Sequence, residues 1–459
     1  MRIGKPDPSL TRLAGLAVID ELVGALGVVG ELDRAIGPIK TRARGMTGGQ
    51  LLVGMATGQL CGQDSLAGLD RVRADPASAL LTHAPVPAAT TAAQLAGRFD
   101  QARLAGIETG LSAVYARWLG VLPAQLRAGL VLRDPTIDLD ATDIEVFGHH
   151  KQRIGWNYAG VKSGRVHLAS WAQADLSLAM DLLAGNDDVR PGAAGLLHRA
   201  LSVLPAAVCG RPRVRADAGY FDGALARAAV ELGCDFAIAA KRNTAVWRAA
   251  ATIPESAWQD AHAMPGDQVA ACDYAPAGWP PDSYTIVRRV KLTAERISRD
   301  PRSRRRRTIP KDQLTLALDG AARHAYAYSF IVTNIPADDG DIAGLEAWFR
   351  QRTSIEDRFR DGKHGTGLHH LPSGQAIINT VWTWGALLAG ALTVMLQPLI
   401  GRRPDHALRT RTPTVRHQLL ALPGRILRHA RGLSLRLGAA GNRLLPPALA
   451  ALRALPRPG

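Results

Sequence analysis

The sequence predicts an α/β protein whose core is interrupted by a β-rich insertion and preceded by a helical region. Apolar residues recur every three or four positions up to about residue 130, which is a helical pattern. From about residue 134 strand-like and helix-like segments alternate, as in an α/β core. That alternation breaks at 246–325 and then resumes. We therefore expect a helical N-terminal region at 1–130, a core at 131–245 and 326–400, an insertion at 246–325 and a basic C-terminal region at 401–459.

The N-terminal region contains four segments with helical periodicity. "LTRLAGLAVIDELVGALGVVGELDRAI" and "TTAAQLAGRFDQARLAGI" are each predicted as one helix, and "DSLAGLDRVRAD" as another. Thr47 is the predicted N-cap of the helix in "MTGGQLLVGMATGQL", because a threonine hydroxyl can accept a bond from a free backbone amide at a helix start. The prolines of "HAPVPAAT" predict a loop.

The core is predicted from strands that alternate with helices. "TIDLDATDIEVFG" alternates apolar and acidic residues, which indicates a strand. "RVRADAGYFDGALARAAVELGCDFAIAAK" reads as strand, turn, helix and strand, with Asp222 as N-cap and Gly233 ending the helix. In the insertion, short strands lie between prolines and "RISRDPRSRRRRTIPKDQ" is predicted to be a basic loop. "YAYSFIVTNI" then resumes a buried strand.

Charge and composition favour a nucleic-acid partner. Lys and Arg number 56 against 40 acidic residues, a formal net charge of +16, which favours a polyanion over a membrane. The four cysteines form no CxxC pair, which argues against zinc fingers and fits a reducing cytoplasm. The N-terminus has no apolar core like that of a signal peptide. "WTWGALLAGALTVMLQPLI" is nearly long enough to span a bilayer, but its Gly, Ala and Thr content favours a buried core helix. We expect a cytoplasmic, nucleoid-associated protein without a membrane partner.

One strongly charged stretch, Phe349–Lys363, is predicted to be a single helix. At about 100° per residue, its Arg352, Glu356, Arg360 and Lys363 form one stripe beside an apolar stripe. The stretch by itself favours i,i+4 salt pairs over chemistry, since Arg352–Glu356 and Glu356–Arg360 have the spacing of such pairs.

Two further acidic positions shift the interpretation toward chemistry. Asp138 and Asp140 alternate with apolar residues, so both face one side of their strand. Asp217 ends a predicted strand at a glycine turn, and ligands in α/β sheets lie at strand ends. Together with Glu356, these acids in a basic chain suggest a carboxylate cluster for a divalent metal. Mg²⁺ prefers oxygen ligands and leaves positions open for phosphate.

The spacing Phe349–x2–Arg352–x3–Glu356–x6–Lys363 resembles the tyrosine-arginine-glutamate-lysine signature of DDE transposases from bacterial insertion sequences. "LDATD", "VRADAGYFD" and "GLHHLPS" are similar to one group within that family, and the resemblance covers roughly residues 30–435. It implies a ribonuclease-H-like core with a β-rich insertion before the glutamate helix. The usual tyrosine of the family is phenylalanine at position 349.

The resemblance also implies roles for individual residues. It implies a catalytic triad that binds two Mg²⁺ ions, with Mn²⁺ as a substitute, at Asp140, Asp217 and Glu356. The first aspartate is Asp140 because it precedes Ala-Thr, whereas Asp138 and Asp143 are the near misses. Arg352 and Lys363 match the residues that grip DNA phosphates. The other expected DNA contacts are Arg360 and the loop arginines Arg304, Arg305, Arg306 and Arg307.

The implied activity is cut-and-paste DNA transposition. The helical N-terminal region would bind terminal inverted repeats, and a homodimer would hold two DNA ends before joining them to target DNA. A metal-dependent nuclease without strand transfer and a non-catalytic DNA-binding protein derived from a transposase remain alternatives. We expect Trp258 and Trp279 to pack in the interior. The histidines expected at the surface or facing DNA are His149, His150, His364, His369 and His370.

Overall fold

A mixed sheet of ten strands is the main feature of the computed structural model. The structure describes residues 5–41, 44–148, 150–303, 305–337, 341–402, 410–430 and 432–458. His149 and Arg304, both named above, lie outside the described residues.

The N-terminal region is helical, as predicted, but two of its predicted helices are divided. Gly27, at φ +64°, adopts the left-handed conformation between the first two helices, because glycine has no Cβ to oppose it. Asp100 starts a new helix because its carboxylate accepts the Arg103 amide at 2.9 Å. Thr47 is confirmed as an N-cap and forms a capping box with Gln50. The elements are β1 Leu10–Thr11, α1 Leu16–Leu26, α2 Val28–Ile36, α3 Gly48–Leu60, α4 Leu66–Arg73, α5 Ala89–Ala96, α6 Gln101–Val121 and α7 Ala124–Val131.

The core follows with a sheet that changes from antiparallel to parallel. Its elements are β2 Thr136–Glu145, β3 Gly155–Trp156, β4 Lys162–Trp171, β5 Leu176–Ala184, α8 Arg190–Val203, β6 Arg213–Ala216, α9 Gly223–Glu231 and β7 Asp235–Ala239. Within it the strands lie in the order β5-β4-β2-β6-β7. β2 pairs antiparallel with β4 and parallel with β6, and β6 is parallel to β7. This order is consistent with a ribonuclease-H-like core, so the predicted α/β fold class is confirmed.

The strands of the predicted insertion extend the core sheet. The elements are α10 Thr244–Ala251, β8 Gln259–Asp260, β9 Asp267–Cys272, β10 Tyr284–Thr293, α11 Ala294–Arg299, α12 Lys311–Leu318 and β11 His324–Thr333. β11 pairs antiparallel with both β7 and β10. The prediction of one basic loop across this segment is partly wrong, because α11 and α12 flank the arginine run. Ile297 and Ala317 of these helices pack in a small core with Val290 of β10, and that burial stabilises them.

The stretch predicted as one helix from Phe349 to Lys363 forms two. These are α13 Ile342–Arg350 and α14 Thr353–Gly365. At the break the Arg352 amide donates to the Phe349 carbonyl, three residues back, at 3.0 Å. A continuous α-helix would use the carbonyl four residues back, that of Trp348. That carbonyl accepts bonds from the Gln351 amide at 3.2 Å and from the buried Arg215 side chain.

The long apolar helix α15, Ala376–Leu399, lies in the protein core. Among the described helices it alone has the length and hydropathy of a membrane span, and 89% of its most apolar window is buried in protein. The prediction of a core helix is therefore confirmed. After it come α16 Thr412–Val415, a π-helical turn Arg416–Leu420, β12 Gly424–His429, β13 Gly432–Leu437 and α17 Ala439–Arg453. β12 pairs with β1, which joins the two ends of the described chain in a three-stranded sheet.

Candidate active site

A buried ion pair between two strands of the sheet lies next to the predicted acidic residues. Asp138 of β2 and Arg215 of β6 are neighbours in the parallel pairing, and their side chains are 0% and 2% exposed. The guanidinium forms two hydrogen bonds with the carboxylate, from Nε at 2.6 Å and from Nη2 at 2.9 Å. This bidentate geometry offsets the cost of removing both charges from water. The charge of Asp138 is therefore used within the fold.

Arg215 also positions the segment that carries the third predicted acid. Its Nη1 donates to the Trp348 carbonyl of α13, and its guanidinium lies 5.1 Å from the centre of the Trp348 ring. Ser354 of α14 approaches Asp138 from the same side, with Oγ 3.4 Å from Oδ2. The buried guanidinium of Arg215 thus contacts both β2 and α13. The break between α13 and α14 lies next to it.

Asp140 lies two residues beyond Asp138 on the same strand face, as predicted. Arg352 Nη1 donates to its Oδ2 at 3.1 Å. Burial raises the pKa of Asp140 to about 6; Arg352 opposes this rise, whereas the negative charge of Asp217 adds to it. Asp140 and Asp217 are therefore close enough to repel each other electrostatically.

Asp217 follows the end of β6, as the sequence predicts. Its Oδ1 accepts the Gly219 amide at 2.8 Å, which forms a short turn and fixes the carboxylate at the end of the strand. Glu356 approaches from α14, with 55% of its side chain exposed. Its Oε1 is 3.8 Å from Arg352 Nη2, so Arg352 lies between Asp140 and Glu356.

The donor set suits a hard divalent cation, although it does not form a compact cage in this structure. Asp140 and Asp217 offer carboxylate oxygens, and burial together with the charge of Asp217 raises the pKa of Asp140. Within the described ranges, no group of three His, Cys, Asp or Glu side chains is arranged to hold a metal ion. Glu356 is separated from the two aspartates by the guanidinium of Arg352, which itself supplies a positive charge at this point.

The two near misses of the sequence have other partners. Asp138 is held by Arg215. Asp143 accepts bonds from Arg165 Nε at 2.7 Å and from Asn157 Nδ2 at 2.8 Å. These contacts favour Asp140 as the reactive aspartate of β2, which stays a prediction.

The predicted DNA-binding cations lie in different environments. Lys363 is half-buried, its Nζ donates to the Asp143 carbonyl at 2.9 Å, and burial lowers its pKa. Arg360 is exposed and pairs with Asp357 at 2.7 Å. On the arginine loop, Arg305 and Arg307 are exposed and Arg306 is half-buried. Their role in DNA binding stays a prediction.

Tyr220 is a buried residue of the site that the sequence did not single out. It is 1% exposed, and its hydroxyl has no hydrogen-bond partner within the described part of the chain. Burial raises its pKa, and the charges of Asp140 and Asp217 raise it further, so Tyr220 lies close to both carboxylates. Its ring centre is 5.6 Å from that of His167, whose pKa burial lowers to about 4. Only its position three residues after Asp217 could have indicated Tyr220.

The aromatic residues of the α13 region and the insertion serve in packing. Phe349 lies on α13, not on the helix of Glu356, and packs with Trp348 against a small core that includes Ile331. Trp279 packs against Phe236, with ring centres 5.7 Å apart, so its predicted packing role is confirmed. Trp258 is half-buried beneath Arg289, whose guanidinium is 4.1 Å from its ring centre, and joins a satellite cluster. Of the predicted surface histidines, His150, His364 and His369 are exposed and His370 is half-buried.

Comparison with known proteins identifies one family model, described as a transposase DDE domain, which matches residues 132–391. No curated protein matches the chain. A solved structure with a similar course of the chain is the cryo-EM structure of the piggyBac transposase synaptic complex with hairpin DNA. The TM-score is 0.42 at 10% identity, and the match covers 88% of this chain and 78% of that chain.

We expect Arg215→Met to destabilise the fold by about 3–5 kcal/mol, because Asp138 would be left charged and buried without a partner. Replacing both partners, Asp138→Leu with Arg215→Met, should restore most of that free energy of unfolding in urea denaturation. Arg190→Met, which breaks the exposed Asp188–Arg190 pair, is the control and should cost under about 1 kcal/mol. Equal losses for the two single variants would contradict the importance of the buried pair.

We expect Asp140→Asn to stabilise the protein at pH 7 in the presence of a chelator. The folded-state pKa of about 6 exceeds the ordinary 3.8, so ionising Asp140 costs stability as pH rises from about 4 to about 6. The gain should be near zero at pH 4 and reach at most about 3 kcal/mol above pH 6. Urea unfolding at several pH values measures it, with the exposed Asp357→Asn as control. A gain that does not vary with pH would show that another effect causes it.

Proposed function

Since the chain belongs to the family of transposases with a DDE domain, we propose that it is a cut-and-paste DNA transposase of a bacterial insertion sequence. In this proposal it cuts DNA at the ends of its own element and joins the freed 3′-hydroxyl groups to target DNA. The observation that carries the proposal is that Arg352 pairs with both Asp140 and Glu356, while Asp217 is close enough to Asp140 to raise its pKa, and that all four residues lie inside the matched range.

In the proposed site, Asp140, Asp217 and Glu356 would hold Mg²⁺, or Mn²⁺ in its place. The bound metal would activate the attacking hydroxyl and stabilise the leaving oxygen. Asp140 is fixed within β2 and Asp217 just after the neighbouring strand β6, whereas Glu356 is an exposed side chain on α14 that can change rotamer. Arg352, released from Glu356, would keep its position beside Asp140 and bind a phosphate oxygen of the DNA.

DNA binding in this proposal comes from the basic surface. The net charge of +16 supplies the general attraction to phosphate. Arg360 on α14 and Arg305 and Arg307 of the arginine loop are exposed, and Lys363 would contribute from its position beside Asp143. The helical region 1–130 would recognise terminal inverted repeats, and two copies would hold two DNA ends in the cytoplasm, on the nucleoid.

In this proposal, each segment that the sequence analysis delimited has its own role. Residues 131–245 and 326–400 would form the catalytic core, 246–325 the insertion and 401–459 a basic C-terminal region. The three predicted acids come from β2, the turn after β6, and α14, so both halves of the core contribute. The insertion lies between those halves in sequence and would position DNA relative to them.

We expect Asp140→Asn, Asp217→Asn and Glu356→Gln each to reduce DNA cleavage by at least a hundredfold while DNA binding is retained. Each variant removes a metal-binding charge, whereas affinity comes mainly from Lys and Arg contacts. Cleavage and strand joining are measured with Mg²⁺ on a duplex that carries the element's ends, and binding is measured by gel shift. Asp357→Asn, the exposed neighbour of Glu356 on α14, is the matched control and should stay active.

The products of the same assay separate the proposed function from its alternatives. Cleavage without joining to target DNA would indicate a nuclease. Binding without cleavage in Mg²⁺ and Mn²⁺ would indicate a DNA-binding protein without catalysis. Normal cleavage by one of the three acid variants would remove that residue from the catalytic set, and activity in excess chelator would contradict the metal mechanism.

We expect replacement of Arg304, Arg305, Arg306 and Arg307 by serine to make the salt dependence of DNA binding shallower. The log–log slope should fall by about 0.9 for each DNA phosphate that the variant no longer neutralises. Fluorescence anisotropy at several salt concentrations measures the slope. The control removes the same charge at scattered exposed arginines, namely Arg71, Arg98, Arg248 and Arg436. If both variants show the same slope, the arginine loop has no special role in binding DNA.

A further inference from the structure

The aromatic side chains that are largely exposed within the described residues all lie in one short segment. They are Phe147 at 84%, Trp156 at 66% and Tyr158 at 96%. We call residues 146–162, which contain them, the aromatic hairpin. Because the other described Phe, Trp and Tyr side chains are at least half covered, this concentration of exposed apolar rings indicates a contact surface.

The three aromatic side chains are exposed although hydrogen bonds hold the hairpin at several points. The Val146 amide donates to the Lys162 carbonyl at 2.9 Å, and the Gln152 amide donates to the Gly374 carbonyl at 2.9 Å. Asn157 Nδ2 donates to Asp143 at 2.8 Å, while its Oδ1 accepts the Val161 amide at 2.9 Å. The rings are thus presented to solvent by a scaffold tied to β2 and to the segment before α15.

The aromatic hairpin also contains positively charged side chains. The aromatic hairpin contains Lys151, Arg153 and Lys162 and no Asp or Glu. Lys151 Nζ donates to the Leu371 carbonyl, and Arg153 Nη1 donates to the Leu182 carbonyl at 3.2 Å. Neutral carbonyls leave the cationic charge in place, so the surface combines π-faces with positive potential. That combination suits nucleic-acid bases and their phosphates.

The aromatic hairpin begins where the strand of Asp140 ends. Val146 is six residues beyond Asp140, about 20 Å along an extended strand. This distance is close to the rise of about six base pairs of duplex DNA. Lys363 binds the Asp143 carbonyl between the two places, so α14 borders the same path.

We propose that the aromatic hairpin stacks its rings on unpaired bases of the DNA held at the candidate active site. This inference depends on the proposed function, because it takes DNA as the ligand of that site. Within a duplex, the base pairs stacked above and below cover the faces of each base, whereas an unpaired, unstacked base offers a free face to an aromatic ring. A symmetric contact between the hairpins of two copies is disfavoured, because both hairpins are cationic and like charges would meet.

The test compares the wild-type chain with a variant that carries Phe147→Ser, Trp156→Ser and Tyr158→Ser. The probes are a labelled 30-nucleotide single strand, the fully paired duplex of the same sequence, and that duplex with a central gap of four nucleotides. Fluorescence anisotropy gives the dissociation constants. The control carries Leu132→Ser and Leu433→Ser, which remove exposed apolar side chains outside the hairpin; Leu132 precedes β2, whereas the hairpin follows it.

We expect the hairpin variant to bind the single strand and the gapped duplex about 5- to 150-fold more weakly for each ring that stacks on a base. Its affinity for the paired duplex and its melting temperature should stay within twofold and within a few degrees of wild type. The leucine control should bind all three probes as wild type does.

Three results would overturn the inference. The first is unchanged affinity of the hairpin variant for the single strand and the gapped duplex. The second is an equal decrease in affinity for all three probes, which would indicate binding to the DNA backbone. The third is a shift from dimer to monomer in sedimentation with DNA affinity intact, which would indicate an interface between copies. If wild type cuts DNA while any of these holds, only the hairpin inference fails; if wild type neither binds nor cuts DNA, the proposed function fails with it.

Discussion

The buried ion pair between Asp138 and Arg215 determines how the candidate site is built. The pair joins β2 to β6 where the sheet turns from antiparallel to parallel pairing. A lone buried charge would be costly, so each partner restricts where the other can lie. Because Arg215 also binds the Trp348 carbonyl, the same guanidinium fixes the end of α13 against the sheet.

That constraint explains how Arg352 reaches the carboxylates. With the Trp348 carbonyl engaged, the helix changes its hydrogen bonding and α14 starts at Thr353. Arg352 then lies between Asp140 and Glu356, where its charge offsets part of the repulsion among the acids. The pKa of Asp140 is nevertheless raised, first by burial and further by the charge of Asp217, and a bound cation would lower it.

The sheet that carries Asp138 and Asp140 connects the candidate site to two other parts of the protein. β11 and β10 extend the core sheet past β7, so the insertion is joined to the core by backbone hydrogen bonds. On the other side, β2 runs on into the aromatic hairpin. Asp140 and the exposed rings therefore lie one after the other along β2 and its continuation, on one connected scaffold.

The sequence by itself determined the fold class, the strand that carries Asp138 and Asp140, the strand-end position of Asp217, and the caps at Thr47 and Asp222, because these depend on local periodicity and on short-range hydrogen bonds. Only the tertiary structure decided that Asp138 forms an ion pair with Arg215 and that Phe349 and Glu356 lie on separate helices. It also decided that Tyr220 lies close to the two aspartates. The first two outcomes depend on partners distant in sequence: the pairing of β2 with β6 brings Arg215 to Asp138, and Arg215 in turn binds the Trp348 carbonyl beside the break between α13 and α14.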